Sequence, residues 1–181
     1  IKTDSTGATY DSYLSDTAVY CNDQSYTKYS TSIDHYGAYT RIATEKSPSY
    51  HCINKYYALS KKNSQSKLTY PIALMTADEV VFAGGSNNAE NANVWYYLNN
   101  SGSSATGLTW WWTMSPSTRY TRRYKVFAAL GDTAPGYLGN DDSTLTGGIR
   151  PVISLKSCVK YSSGDGTADN PYTIQGIISE C

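Results

Sequence analysis

The sequence predicts an α+β fold in which short helices pack on small antiparallel sheets, with many loops and disulfide staples. Three observations lead to this prediction. A helix-start signal stands mid-chain at Thr76, short β-rich runs separated by Gly and Pro fill the second half, and residues 1–65 are polar and rich in tyrosine. The 181 residues contain no internal repeat or linker, so we expect one domain over 1–181, with its core part at 66–181.

The first predicted helix begins at Thr76, whose hydroxyl can cap the free amides of the first turn. Glu79 stands three residues later and completes a capping box, and Asp78 adds negative charge at the positive helix start. Gly84 or Gly85 permits the left-handed turn that ends the helix. A second helical turn is predicted at 92–98.

Four strands are predicted in the second half of the chain, at 109–114, 125–130, 149–155 and 172–178. The first contains three adjacent tryptophans. Alternation along a strand places Trp110 and Trp112 on one face and Trp111 on the other. We expect at least one of these faces to lie in the core, and stacking of an exposed tryptophan on a sugar is the alternative.

The composition indicates an extracellular or cell-surface protein. With 15 basic and 15 acidic residues the net charge is +0, which leaves no basic field for nucleic acid or an anionic membrane. The 18 tyrosines suit half-hydrated interfaces, although amphipathic faces of an ordinary secreted protein would also use them.

No apolar run reaches about 18 residues, so this segment is not expected to enter a membrane. No signal peptide is seen at Ile1, and we expect any export or anchoring segment to lie outside the sequence.

The cysteine count favours two disulfides, because four cysteines on an extracellular-looking chain can pair completely. The four are Cys21, Cys52, Cys158 and Cys181. We expect Cys21–Cys52 and Cys158–Cys181, each worth about 3 to 4 kcal/mol through loop closure. A nested pairing and free buried thiols are the alternatives.

Residues 117–146 lie between two apolar, strand-like anchors and are crowded with side chains typical of binding surfaces. Tyrosine and arginine combine a large contact area with directional donors, so we expect exposed binding loops here. The predicted ligand-binding residues are Trp111, Arg119, Tyr120, Arg122, Arg123, Tyr124, Tyr137, Asn140, Asp141 and Asp142. In the alternative interpretation, the arginines pair with the aspartates in a solvated loop.

Seven collinear segments resemble a family of exported bacterial surface proteins, which are often attached to prepilin-like or other surface-anchoring N-termini. The segments are Tyr20-Cys-Asn-Asp-Gln24, Gly37-Ala-Tyr-Thr-Arg41, Lys67-Leu-Thr-Tyr-Pro-Ile72, Met75-Thr-Ala-Asp-Glu-Val80, Trp112-Thr-Met-Ser-Pro116, Gly148-Ile-Arg-Pro-Val-Ile-Ser-Leu-Lys156 and Gly164-Asp-Gly-Thr-Ala-Asp-Asn-Pro-Tyr172. The family is similar to the C-type-lectin-like superfamily, which includes formylglycine-generating (sulfatase-modifying-factor-like) enzymes and the variable proteins of diversity-generating retroelements. The resemblance covers the chain from about residue 20 onward.

The resemblance implies a C-type-lectin-like fold. In that superfamily a Gly-Gly-Ser-Trp block begins the final β segment and a Gly-Phe-Arg block ends it, and the similar bracket here is 112–116 and 148–150. Gly-Gly-Ser-Trp itself is absent, and a variable protein of a diversity-generating retroelement is one alternative within the resemblance. By correspondence with that superfamily, the resemblance implies that residues 117–146 are the exposed binding loops and that Arg150 is a buried structural arginine.

No metal or cofactor is predicted. Asp165, Asp169 and Asn170 are the residues that could ligate calcium, since clustered oxygens around glycine turns suit that ion. Their spacing does not follow an EF-hand, and ordinary turns favour the same residues. The sugar-binding signatures of calcium-dependent lectins, Glu-Pro-Asn and Trp-Asn-Asp, are also absent.

Enzymatic activity is not expected. A catalytic triad needs a histidine beside the nucleophile, and the only histidines are His35 and His51 in the Tyr-rich part. A hydrolase or transferase would need a pocket converging on one of them. We therefore expect a non-enzymatic recognition or adhesion domain that binds a protein or glycan on another cell or particle through 117–146. The alternative is a structural subunit of a pilus-like or other extracellular filament, which self-assembles through tyrosine-rich surfaces.

Overall fold

The computed structural model describes residues 11–88, 110–131, 134–166 and 170–177. In these ranges short helices accompany small antiparallel sheets, which confirms the predicted α+β class. The helices are a 3-10 turn (Asp11–Tyr13), α1 (Gly37–Tyr39), a π-helix (Thr40–Glu45) and α2 (Ala77–Phe82). The strands are β1 (Tyr20–Cys21), β2 (Tyr26–Lys28), β3 (Ile33–Tyr36), β4 (Ala58–Leu59), β5 (Ile72–Leu74), β6 (Trp110–Tyr120), β7 (Arg123–Leu130), β8 (Leu138–Asp142), β9 (Pro151–Ile153), β10 (Val159–Ser163) and β11 (Thr173–Ile177).

Helix α2 begins and ends as its local signals predict. The Glu79 amide donates to Thr76 Oγ1 at 3.1 Å, and the Thr76 amide donates to Glu79 Oε2 at 2.7 Å, which completes the capping box. Gly84 follows the helix with a φ of 99°, the left-handed conformation expected after a helix end. The helical turn predicted at 92–98 lies outside the described residues.

The largest sheet has five antiparallel strands in the order β2-β3-β6-β7-β8. Strand β6 is its longest strand, and alternate residues are buried from Trp111 to Ser117. Trp110 and Trp112 lie on the opposite face with their rings edge to face, 4.7 Å apart. The predicted alternation of the three tryptophans is therefore confirmed.

The strand predicted at 125–130 lies within β7, as expected, but the prediction of loops for the rest of 117–146 was wrong for much of that segment. Its first four residues continue β6, and β7 and β8 occupy much of the remainder. The β6–β7 hairpin turns through two residues, because Tyr120 pairs directly with Arg123. Polar side chains stand on these strands where they face solvent, so polarity here did not indicate an irregular backbone.

The core lies between this sheet and the helices α1 and α2. Its buried residues are Ala38, Ile42, Ala77, Val80, Trp111, Phe127, Ala129 and Leu138. The guanidinium of the half-buried Arg150 lies 3.8 Å from the centre of the Trp111 ring, so Arg150 has a structural contact at the core edge.

Three two-stranded sheets flank the main sheet: β1-β4, β5-β9 and β10-β11. A disulfide joins Cys21 to Cys52 over a sequence separation of 31, as predicted. The other predicted pair includes Cys181, which lies outside the described residues. The helices in the described ranges are all too short or too polar to span a membrane.

Candidate functional site

A groove of about 540 Å3 lies beside the turn that joins β6 to β7. We call it the hairpin groove, and its lining residues are Arg122, Arg123, Tyr124, Asp141, Asp142, Ser143, Thr144 and Leu145. Strand register explains the grouping: Lys125 pairs with Asp142, and the Ser143 amide donates to the Tyr124 carbonyl at 2.8 Å. Five of the ten residues predicted to bind ligand line this groove.

The backbone of the hairpin turn is strained at Thr121. This residue has a φ of 54°, a left-handed conformation that is uncommon for a β-branched side chain and costs on the order of 1–3 kcal/mol. Its amide donates to the Ser32 carbonyl at 2.9 Å, so the β2–β3 connection holds the turn. Tyr120 and Arg122 stand on either side of this residue in the turn.

Arg122 and Arg123 line the groove, at the turn and at the start of β7. Both side chains are exposed. Among the described residues, ion pairs within 4.0 Å involve the cations of Arg41, Lys61 and Arg119, and neither groove arginine takes part in one. Arg122 and Arg123 therefore form no ion pair within 4.0 Å with a described carboxylate, whereas Arg119 of the same segment pairs with Asp34.

Two carboxylates, those of Asp141 and Asp142, also line the groove, at the end of β8. Asp142 Oδ1 accepts from the Thr144 amide at 3.1 Å and from Thr144 Oγ1 at 2.9 Å, and Asp141 Oδ1 accepts from the Asp142 amide at 2.8 Å. The bonds from Thr144, helped by the charges of Arg123 and Lys125, hold the pKa of Asp142 below the ordinary value of an aspartate. Its carboxylate is ionised and oriented at neutral pH.

Arg119 and Tyr120 lie next to the groove but differ in their contacts. The Arg119 guanidinium lies 2.5 Å from Asp34 Oδ2 and 5.7 Å from the centre of the Tyr26 ring. The charge of Asp34 raises the pKa of Arg119, whose side chain ties β6 to β3. Tyr120 is 53 % exposed and pairs with Arg123, so its ring borders the turn.

Three predicted binding residues lie away from the groove. Trp111 is 2 % exposed, so its ring packs in the core and is not accessible to a ligand. Asn140 pairs with Phe127 and therefore shares the core-facing side of the sheet. Tyr137 precedes β8 at the end opposite to the groove, where it bridges to Ser86.

The strongest polar cluster in the described ranges is one that the sequence did not reveal. Arg41 Nε and Nη2 donate to the two carboxylate oxygens of Asp78 at 2.9 and 2.8 Å, and its Nη1 donates to Asp23 Oδ2 at 2.7 Å. The Ser49 amide also donates to Asp78, and the Ser25 amide donates to Asp23. Both aspartates are buried, and these contacts use all three guanidinium nitrogens, so the cluster joins elements rather than binding a ligand.

Asp23 gives this cluster a predicted pH dependence. Burial acts to raise the pKa of Asp23, but hydrogen bonds from Ser25 and Arg41 outweigh it and hold the pKa below the ordinary value of an aspartate. A lowered folded-state pKa contributes stability above the unfolded-state value, and this contribution is lost as the pH falls through the folded-state pKa. We expect urea unfolding to show that the free energy of unfolding of the wild type falls below about pH 4, and that it falls less steeply in Asp23→Asn.

Gln24→Ala changes an exposed neighbouring residue and should keep the pH dependence of the wild type. If Asp23→Asn also kept that pH dependence, Asp23 would not be its source.

Neither histidine adjoins the hairpin groove. His35 lies between the rings of Tyr29 and Tyr39, with centroids 4.3 Å away on both sides, and burial lowers its pKa. His51 is exposed and lines a cavity of about 130 Å3 beside the Arg41 cluster. Since the polar groups of that cluster already bind one another, the cavity offers few free groups for chemistry.

The residues considered for calcium form a turn where they can be described. The amides of Asp165 and Gly166 donate to the Asn170 carbonyl at 3.0 and 3.2 Å, which closes the connection between β10 and β11. Asp169 lies outside the described residues. Within the described part of the chain, no three His, Cys, Asp or Glu side chains gather as a metal site. The chain matches no protein-family model, no characterised protein and no solved structure.

Proposed function

We propose that this chain is a non-enzymatic recognition domain, displayed outside the cell or on its surface, that binds a protein or glycan through the hairpin groove. The partner would lie on another cell or particle. The observation that carries the proposal is the pair of exposed groove arginines, which form no ion pair with any described residue. Exposed arginine beside exposed tyrosine is the combination that dominates binding hot spots.

The strained hairpin turn supports the same location. Unfavourable backbone conformations persist where the surrounding structure holds them, and they gather at binding and active sites. Thr121 is held in this way by Ser32 and stands between Tyr120 and Arg122. The turn therefore presents these two side chains from a fixed backbone, which lowers the entropy lost when a ligand binds.

We also propose that the α+β architecture is C-type-lectin-like. Short helices on small antiparallel sheets and the Cys21–Cys52 disulfide support this, as does the resemblance of the seven segments to exported surface proteins. On this proposal the recognition residues stand on a hairpin within the final β segment. The extracellular location is supported by the disulfide, because such bonds persist in oxidising compartments.

Removal of three groove side chains is expected to abolish most binding. In the variant Arg122→Ala, Arg123→Ala, Tyr124→Ala, affinity for a ligand identified on glycan and protein arrays should fall at least about tenfold, because charged donors and ring area are lost together. Affinity is measured by biolayer interferometry on the purified oxidised chain. Lys160→Ala, Tyr161→Ala removes similar exposed side chains from β10 and should bind normally. Equal losses in both variants, or none in the groove variant, would place the site elsewhere.

Self-assembly into a filament is a second candidate function, and the exposed edge of the main sheet favours it. All three residues of β2 are exposed, and an uncovered edge strand can pair with another chain. If this edge mediates assembly, Thr27→Lys will prevent it by placing charge in the new pairing. Electron micrographs and sedimentation showing only dispersed monomers of the wild-type chain would remove this function.

A further inference from the structure

A second groove, of about 480 Å3, is lined by residues of α2 and β9 together with Tyr50, and we call it the aromatic groove. Its volume lies within the range of roughly 300–1,000 Å3 that small-ligand sites occupy. It shares no lining residue with the hairpin groove. The side chains that a ligand would meet there include Tyr50, Met75, Glu79, Phe82, Val152 and Ile153.

Tyr50 and Phe82 form a stacked pair of rings at the protein surface. Their centroids lie 4.2 Å apart with an interplanar angle of 17°, and the two residues are 68 % and 47 % exposed. The chain is fixed on both sides of Tyr50, because the Ser49 amide donates to Asp78 Oδ1 at 2.8 Å and Cys52 belongs to the disulfide. Exposed ring surface that is already held in place loses little entropy when a ligand binds.

The other side of the lining is aliphatic. Met75 and Val152 are half-buried, and Ile153 is 48 % exposed. Val152 pairs with Ala73 of β5, and β5 ends two residues before the Thr76 cap. This pairing keeps β9 close to the start of α2, so aromatic and aliphatic surface line one groove.

Glu79 brings negative charge to this apolar lining. It stands three residues before Phe82 on α2, so the two side chains are neighbours on the helix surface. Its Oε2 accepts hydrogen bonds from Thr76, whereas its Oε1 accepts none from a described residue. In the adjoining cluster, one Arg41 guanidinium stands against two carboxylates. Among the described residues that line the groove and the adjoining cavity, Arg41 is the only one with a permanent positive charge, so a cation is favoured.

We propose that the aromatic groove is a binding site for a small organic cation with an alkylated ammonium group. The electron-rich faces of Tyr50 and Phe82 attract the cation, and Glu79 offsets its charge. The alkyl groups pack against Met75 and Val152. A primary ammonium is compact and strongly hydrated, and it would lose more hydration on entering such a lining. The site is independent of the function proposed for the hairpin groove.

The proposal is tested by titrating the oxidised chain with choline and with benzyltrimethylammonium, followed by two-dimensional NMR. Neohexanol has the shape of choline without its charge and is the matched control ligand. We expect choline to bind at least about tenfold more tightly than neohexanol, because only choline gains from the rings and the carboxylate. The signals that shift should belong to residues 79–83 and 152–154 and to Tyr50.

Loss of the two rings should weaken binding of both cations. In Tyr50→Leu, Phe82→Leu, apolar side chains remain but the ring faces are gone, so affinity for choline should fall at least about tenfold. Tyr161→Leu, Tyr172→Leu is the matched control, because it removes another exposed pair of rings, with centroids 5.2 Å apart, outside the groove. This control should bind choline as the wild type does.

Glu79→Gln tests the charge. Glutamine can also complete a capping box, so α2 should remain intact while affinity for choline falls. Glu45→Gln removes an exposed carboxylate outside the groove and should bind normally. The proposal is overturned if neither cation binds, if neohexanol binds as tightly as choline, or if the leucine variant of the groove rings keeps wild-type affinity. Shifted signals confined to 120–124 and 141–145 would also overturn it, because they would assign the cation to the hairpin groove.

Discussion

Replacement of Arg41 by methionine is expected to lower the free energy of unfolding by about 3–5 kcal/mol. The guanidinium makes two hydrogen bonds to Asp78 and one to Asp23, and both carboxylates are almost fully buried. Methionine fills much of the same space but leaves two buried negative charges without their cation. The cost is therefore the penalty of stranded charge rather than of lost volume. Urea unfolding at pH 7, followed by tryptophan fluorescence, measures it.

Arg122→Met is the matched control, because it makes the same chemical change at an exposed turn and should alter stability by at most about 0.5 kcal/mol. A second variant tests the cause. Adding Asp23→Asn and Asp78→Asn to Arg41→Met removes the stranded charges and should recover part of the loss. If Arg41→Met costs no more than the control, the cluster contributes little to stability.

The double substitution Cys21→Ala, Cys52→Ala is expected to lower the free energy of unfolding by about 4 kcal/mol. The disulfide closes a loop with a sequence separation of 31, and the cross-link reduces the conformational freedom of the unfolded chain. The half-buried positions of both cysteines leave little packing to lose. Urea unfolding of the variant and wild type under non-reducing conditions gives the difference.

Cys21→Ser, Cys52→Ser separates the loss of the cross-link from the effect of the new side chains. The serine and alanine variants should lose similar stability, because they share only the missing bond. A loss below about 1 kcal/mol in both would mean that the unfolded chain is already restricted in this region. The binding proposed for the hairpin groove should persist wherever the variants remain folded, since the disulfide joins β1 to the segment before β4.

Features with local signals could be predicted from the sequence. The capping box of α2 involves residues only three apart, so Thr76 and Glu79 identify it without knowledge of the fold. The alternation of Trp110 and Trp111 follows from strand geometry alone. The grouping of Arg122, Arg123 and Tyr124 was also visible, because adjacent residues on one hairpin end stay together in any arrangement of the sheet.

Features that depend on distant pairing could not be predicted. Arg41 and Asp78 are 37 residues apart in the sequence. A carboxylate in the first turn of a helix is favourable by itself, so Asp78 gave no sign of a distant partner. The burial of Trp111 could not be predicted, because no local sequence signal indicates which face of β6 is covered by α1 and α2. The polar residues at the end of β6 and in β8 indicated loops, since solvent exposure produces the same composition in a loop and on a strand.

The pairing of β3 with β6 also bears on the order in which the protein folds. The β6–β7 hairpin joins neighbouring residues and can form early, whereas residues 33–35 must find residues 118–120 across a long intervening chain. Ser32 reaches Thr121 only after this search ends. We therefore expect strand content to develop before the turn acquires its final conformation, so that a newly synthesised chain forms its hairpin groove in one of the last steps of folding.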